Sequence, residues 1–509
     1  MSLHDLPTLE TPRPDSALES HFARFRERIV GDDATFESPY GTMPLVYADW
    51  VASGRLYRPI EEHMLDLFGP MVGNTHTESS VTGTTMTRAY HEAQRILKAH
   101  VNAGPDDAII MSGSGMTGAI SKFQRILGLR VPDLVLPRVT LRTEERPVVF
   151  VTHMEHHSNH TSWMESLADV VVLPSDDAGL VDPESLRRLI VTYTGRPLLI
   201  GSFTACSNVT GITTPYHDLA RIMHEHGGYC FVDFAASAPY VAIDMHPADP
   251  MAALDAVFFS PHKFLGGPGT PGALIFTKRL YRNRVPDHPG GGTVNWTNPW
   301  GVHSFIEDIE AREDGGTPAF LQTMRAALAV RLKEEMGVEA IHAREQELLA
   351  TAFRRLRAIP GLHILADAVE DRLGIVSFYV EGIHYNLIVR LLNDRFGIQV
   401  RGGCSCAGTY GHYLLHVDQD MSNAILDQIL NHHDLSAKPG WVRLSLHPTL
   451  TNARLDYILD AIDTIVKRID AWKADYTYVC SSNEFLHKDD AYDREQVEGW
   501  FNRKVESEK

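Results

Sequence analysis

Short, uniformly apolar runs recur along this chain, separated by stretches with helical spacing. The runs are Leu45–Tyr47, Ala108–Met111, Val148–Val151, Val170–Leu173, Leu198–Ile200, Cys230–Val232, Ala256–Phe259 and Ala273–Phe276. Between them lie amphipathic segments such as Met86–Ala103, Pro183–Ile190 and Tyr216–His226. Strands spaced by helices build βαβ units and a mainly parallel sheet. Runs that are apolar throughout, rather than alternating, belong in a sheet covered on both faces. The fold class is α/β.

A Gly/Pro-rich stretch at 288–301 interrupts the rhythm, and a long helical pattern follows over Pro318–Met336 and Val338–Ile359. The texture then changes to strands at Gly374–Val380, Val400 and Trp441–Ser445, with helices at Tyr385–Phe396 and Asn452–Trp472. This predicts a smaller α+β lobe. The expected organisation is an arm over 1–40, irregular and packed with the small domain, and a large domain over 41–300. A linking helix and small domain then fill 301–475, and an acidic tail 476–509.

Composition excludes several function classes. With 47 Lys+Arg against 65 Asp+Glu, the net charge of −18 repels phosphate backbones, so no nucleic-acid partner is expected. No apolar run is long enough to span a bilayer, and no basic run would dock on anionic lipid. The N-terminus lacks a basic segment followed by an apolar one, so a cytoplasmic protein is expected. Five cysteines in 509 residues cannot form a disulfide scaffold.

Six segments carry chemistry. In FFSPHKFLGGPGTPGALIF at 258–276 a strand ends at Ser260, and Gly and Pro fix Lys263 on a turn at its carboxyl end. A partly desolvated amine there forms imines with carbonyl compounds. Thirty residues upstream, CFVDFAASAP ends an apolar run in Asp233. A lysine with a carboxylate partner for a pyridinium is the arrangement that pyridoxal phosphate requires. MSGSGMTGAI at 111–120 places Ser114 and Gly115 at a helix N-terminus, where free N–H groups hold a phosphate.

VTHMEHHSNHTSW at 151–163 clusters His153, His156, His157 and His160. One imidazole can stack on an aromatic ring; the rival reading is zinc, which needs a fitting carboxylate or thiolate, and no metal is expected. VRGGCSCAGTYGH at 400–412 sets Cys404 and Cys406 in a glycine-rich loop, where a thiolate could act as nucleophile. In GWVRLSLHP at 440–448, Arg443 interrupts an apolar strand and suits a substrate carboxylate. Each segment alone also has an ordinary reading: an exposed lysine, a capping aspartate, incidental cysteines, a structural ion pair.

Their order along the chain resembles the class V aminotransferase family of fold-type I pyridoxal-phosphate enzymes, most of all its cysteine desulfurase and selenocysteine lyase branch. The likeness runs from about Tyr47 to about Leu450. YADWVAS, Gly-Asn-x-His at 73–76, SNVTG at 207–211, PGGGTV and EDGGTP at 313–318 add to the motifs above. It implies a PLP-dependent transferase fold: a large domain with a mainly parallel seven-stranded sheet and a smaller α+β C-terminal domain.

The resemblance implies that Lys263 forms the Schiff base, Asp233 meets the pyridine nitrogen and His156 stacks on the ring. Ser114, Gly115, Ser260 and His262 match the phosphate positions. Asn208 lies by the cofactor's phenolic oxygen and the substrate, and Arg443 holds the substrate carboxylate. Cys406 matches the persulfide-forming cysteine. Thr317 and the glycines at 290–292 fall where the family reaches into a neighbouring site, implying a homodimer with shared sites. An amino-acid substrate and a sulfur-acceptor protein complete the implied partners. Ala236 stands where the family usually has Gln, Met116 replaces a frequent polar residue, and 130–146 is an insertion. Transamination or C–S cleavage with Cys406 idle, and a non-catalytic binding protein keeping the fold, are the alternatives.

Overall fold

The computed structural model describes residues 16–75, 77, 79–489 and 494–502 of the chain. Its central sheet is seven-stranded: β1 (Asp107–Ser112), β2 (Val148–Val151), β3 (Asp169–Val172), β4 (Leu199–Thr204), β5 (Tyr229–Asp233), β6 (Ala256–Phe259) and β7 (Gly272–Thr277). Their spatial order is β1-β7-β6-β5-β4-β2-β3. The pairs β2–β3, β2–β4, β4–β5 and β5–β6 are parallel, while β7 runs antiparallel to β1 and β6.

Both faces are covered, which is why the strands are apolar throughout. On one face Phe123, from the helix Met116–Ile126, meets Phe231, Phe258 and Phe276 at ring-centroid distances of 5.1, 5.8 and 5.0 Å. On the other, Val232, Val257, Phe259 and Ile275 pack with Leu219 and Met223 from the helix Tyr216–Glu225. The carboxyl ends of β1, β2, β4, β5 and β6 share one edge, where parallel sheets collect ligands.

The long helical pattern divides at Gly337 (φ +82°) into helices Phe320–Met336 and Val338–Leu356. A four-stranded antiparallel sheet follows: β8 (Leu362–Ile364), β9 (Ile375–Val380), β10 (Arg401–Gly403) and β11 (Trp441–Ser445), in the order β8-β9-β11-β10. It shares a core with Leu348, Phe353, Leu391, Ile458 and Ile462 of the surrounding helices.

Several local expectations differ from the structure. The described part of the arm is partly helical rather than irregular: Ser16 caps a helix, Ala17–Arg26, accepting from the Glu19 N–H at 3.0 Å. Phe22 and Phe25 are its buried face, a short apolar spacing hidden among prolines and charges. Glu19 meets the buried Arg344 of Val338–Leu356 at 3.3 Å. Val46–Tyr47 does not join the central sheet but pairs in parallel with Ile398–Gln399. Val400 itself is a connector between Ile398–Gln399 and β10. The final segment forms a hairpin, Tyr476–Val479 with Glu484–His487, and a helix, Arg494–Asn502. The stretch at 130–146 is an exposed loop with 3-10 turns at Leu136–Arg138 and Thr143–Glu145. His76 of the Gly-Asn-x-His motif lies outside the described residues, as do 1–15 of the arm and 490–493 and 503–509 of the tail. Among the described residues no helix is long and apolar enough to cross a membrane.

Candidate active site

A cavity of about 470 Å³ opens at the carboxyl edge of the central sheet. Ser114, Gly115, His156, Asn208, Asp233, Ser260, His262, Lys263 and Arg443 line it, with Ala236, Arg401 and Ser405.

Each position follows from a strand end. β1 runs into Gly113, whose φ of +62° turns the chain into the helix Met116–Ile126. A Cβ on Gly115 would stand 2.6 Å from His262 Cε1, so only glycine lets the turn and that ring touch. Ser260 Oγ, at the end of β6, accepts from the Met116 N–H at 2.9 Å and ties the two loops. The helix His157–Met164 begins beside them, and Thr117 and Ser158 meet through their hydroxyls at 2.6 Å. Two helix N-termini thus converge on one end of the cavity, which favours an anion there.

Asp233 ends β5 with only 4% of its surface exposed. Its Oδ1 accepts from the Ala235 N–H at 2.8 Å. Burial pushes this carboxyl up to about 6, while that bond and the Lys263 charge pull it back. Lys263 sits two residues past Pro261 on the turn Pro261–Lys263. Desolvation, opposed by Asp233 and reinforced by the cations Arg443 and Arg401, brings its amine down to about 8. His156 lies between β2 and the helix it caps, its Nδ1 accepting from the Ser158 N–H at 3.1 Å. Desolvation and the nearby Lys263 push the ring down to about 3, so it is neutral with its proton on Nε2.

From the small lobe, Arg443 projects out of β11, 2% exposed. Its Nη2 pairs with Asp49 Oδ1 at 2.6 Å and its Nη1 donates to the Asn208 carbonyl at 3.2 Å. Nε is buried without a partner. The structural ion pair is therefore present, and it aims the guanidinium at the cavity.

Cys406 lies on the rim rather than in the wall, half-buried, with Arg401 Nη2 4.0 Å from its Sγ. Thr317 is exposed and outside this cavity, on the loop before Phe320–Met336. The four histidines do not converge. His153 turns away to the Gly179 carbonyl (3.1 Å), and His157 and His160 face the Gly408–Thr409 segment. Among the described residues no group of three metal-ligating side chains forms.

Sequence reasoning missed Asp49 and Arg401 as site residues, although both stand in quoted motifs, YADWVAS and RGGCSCAG. It also missed Glu155. Its carboxyl, pushed up to about 8 by burial, accepts from Thr152 Oγ1 (2.7 Å), Asn159 Nδ2 (2.7 Å) and the Thr204 N–H (2.9 Å), joining the end of β2 to β4.

A parallel α/β sheet whose carboxyl edge holds a lysine, a buried carboxylate and a double helix terminus defines a fold-type I enzyme. The chain belongs to the class V aminotransferases: residues 46–458 match the family described as aminotransferase class-V. That makes it a pyridoxal-phosphate-dependent enzyme. It is 28% identical over 427 residues to a probable cysteine desulfurase of Halobacterium salinarum, covering 83% of this chain and 92% of that one. A probable cysteine desulfurase of Staphylococcus aureus (strain N315) is 27% identical over 383 residues, 74% and 87% of the respective chains. Among solved structures it is similar to the apo cysteine desulfurase of Thermococcus onnurineus NA1 (TM-score 0.69, 20% identity, covering 87% and 98%). A cysteine desulfurase of Escherichia coli aligns with a TM-score of 0.67 and 22% identity, covering 88% and 98%.

The residues present fit the cofactor. The cavity offers a carboxylate for a pyridinium, an amine for an aldehyde and helix N-termini for a phosphate. His262 Nδ1 and Asn208 Oδ1 are buried without partners, an arrangement that is costly unless a ligand supplies them.

Proposed function

We propose that this enzyme takes sulfur from L-cysteine, releasing L-alanine and leaving a persulfide on Cys406. The observation carrying the reading is the convergence of Lys263 and Asp233 from one lobe with Arg443 and the Cys406 turn from the other. The naming of its relatives as cysteine desulfurases supports it.

Bound there, pyridoxal phosphate supplies a carbonyl for the substrate amine and an electron sink for charge developing at the α-carbon. Asp233 would hold the pyridinium, the neutral His156 ring would lie against the cofactor, and Asn208 would present its unpartnered Oδ1. Ser114, Gly115, Ser260 and His262 would hold the phosphate. Arg443, oriented by Asp49, binds the substrate carboxylate in a two-point contact. Lys263 Nζ, held at about 8, is partly free base near neutrality and takes the α-proton. Cys406 Sγ attacks the substrate sulfur, so an S–S bond forms as the Cβ–S bond breaks. The electron pair passes to Cβ, which takes up a proton, in balance the one the Cys406 thiol gave up, and becomes a methyl group; the proton held on Lys263 Nζ returns to the α-carbon and completes alanine.

The proposal includes a homodimer with shared sites and a sulfur-acceptor protein. Thr317 lies outside its own cavity, and its loop adjoins the 290–292 glycines through the Gly316 N–H to the Gly291 carbonyl (2.9 Å).

The test supplies L-cysteine to the holoenzyme and follows alanine, sulfide and protein persulfide. Cys406→Ala should abolish persulfide and cut turnover at least a hundredfold, while the cofactor absorbance change on adding cysteine persists. Unchanged turnover, or keto acid as the product, would transfer the reaction to elimination or transamination.

A further inference from the structure

The histidine cluster sends one ring, His156, into the cavity. Its neighbours reach the segment that carries Cys406. The main-chain N–H of His157 donates to the Cys406 carbonyl at 2.7 Å, and its Nε2 accepts from the Gly408 N–H at 2.9 Å. Thr409 Oγ1 meets His160 Nδ1 at 3.1 Å. From another side, Asn208 Nδ2 donates to the Ser405 carbonyl at 2.7 Å. These bonds fasten residues 405–409, which follow a small-lobe strand, to the large lobe.

What they fasten is a strained turn. Ser405 (φ +52°) and Cys406 (φ +58°) are consecutive left-handed residues that both carry a Cβ. Such a backbone persists only where its surroundings over-determine it. The approach of His157 also depends on glycine: a Cβ on Gly408 would stand 3.0 Å from Nε2.

We propose that His157 is a positioning residue for Cys406, its neutral Nε2 clasping the thiol-bearing turn to the large lobe, with His160 as a second point of attachment. The proposal rests on the reading of Cys406 as the sulfur-accepting thiol. The groups facing His157 are His156, with ring centroids 6.3 Å apart, His160 and Lys438, none of them acidic. Burial, then Lys438, keeps the ring below its ordinary titration range, so the acceptor is available at neutral pH. Protonation at Nε2 would set a donor against the Gly408 N–H and open the clasp.

The experiment compares wild-type holoenzyme with His157→Ala and His157→Gln, whose amide oxygen can accept from Gly408 but does not titrate. Amide exchange of the 401–412 peptide is read by mass spectrometry at mildly alkaline and mildly acid pH, with cofactor absorbance and first-turnover persulfide on Cys406. In His157→Ala, exchange should accelerate and persulfide formation should slow about tenfold each, as for one lost hydrogen bond. Its cofactor spectrum and KM for cysteine should hold. His157→Gln should restore both rates and remove the extra exchange that protonation of His157 should cause in wild type at acid pH. Exchange in His157→Ala equal to wild type, or failure of the glutamine to restore it, overturns the clasp. If the clasp behaves as described while Cys406→Ala turns over normally, the reading of Cys406 fails and the positioning stands.

Discussion

Asp233→Asn should make the cofactor-free protein more stable while disabling the enzyme. The carboxyl titrates at an ordinary 3.8 in an unfolded chain but at about 6 in its buried site. The folded state therefore binds this proton more tightly than the unfolded state, and stability is lost as pH rises from 3.8 through 6. Above that window the penalty levels off, at about 3 kcal/mol for a shift of this size. Lys263 is already counted in it, because its attraction lowers the same group. Asparagine keeps an acceptor for the Ala235 N–H and cannot ionise.

Urea denaturation of cofactor-free wild type and Asp233→Asn across pH measures the difference directly. The variant should gain about 3 kcal/mol near pH 8, about 1.5 near pH 5 and about 0.5 near pH 4, with the gain vanishing below about pH 3. With cofactor added the order reverses, because a pyridinium would pair with the carboxylate and not with the amide. The wild type should then gain stability by ligand binding that the variant lacks. A cofactor-free variant that is less stable than wild type, or a gain that ignores pH, would refute the reasoning. A destabilised group kept at a functional position is the trade of stability for activity expected of an active site.

Two further outcomes follow from neighbouring residues. Because the Lys263 amine is held at about 8, covalent capture of pyridoxal phosphate by cofactor-free protein, trapped with borohydride, should rise as pH passes upward through 8; a profile flat across that range contradicts the assignment. Asp49→Asn removes the carboxylate 2.6 Å from the buried Arg443 guanidinium and leaves it bonded to the Asn208 carbonyl. The loss should be about 3 kcal/mol of stability, seen as a lower melting temperature, and a KM for the amino acid raised at least tenfold; unchanged values for both would show that Asp49 does not orient Arg443.

Much of the fold was legible because its signals are local. Val148–Val151 and Ala256–Phe259 stand as strands with the bounds their apolar runs mark, since no polar residue interrupts them, and Trp441–Ser445 keeps its expected bounds with Arg443 inside it. Pro183–Ile190 and Asn452–Trp472 begin where Asp182 and Thr451 cap the first turn. The helix Val81–His100 starts earlier than its apolar spacing because Ser80 caps it, accepting from the Gly83 N–H at 3.2 Å. The lysine, the carboxylate and the glycine turn were visible as residues at strand ends. What remained hidden is non-local. Nothing near Val46–Tyr47 reveals that its partner is Ile398–Gln399, and nothing near Arg443 points to Asp49. His157 reads as one histidine among several until Gly408 is brought against it.

The segment 46–54 shows why the two lobes act on one substrate. Pairing with Ile398–Gln399 stitches it into the small lobe, and Asp49 then bridges to Ser445, two residues from Arg443. Val51 and Ala52 next line the cavity. Gly54 ends the segment against the Lys263 turn, its N–H donating to the His262 carbonyl at 3.0 Å. A Cβ there would fall 1.9 Å from the Phe264 carbonyl oxygen, so the contact admits only glycine. One short stretch therefore spans the distance between the arginine proposed for the substrate carboxylate and the lysine proposed for its α-proton. The spacing of those two groups is set by backbone rather than by side-chain reach, and a shift of either lobe that moved one would carry the other through the same strap.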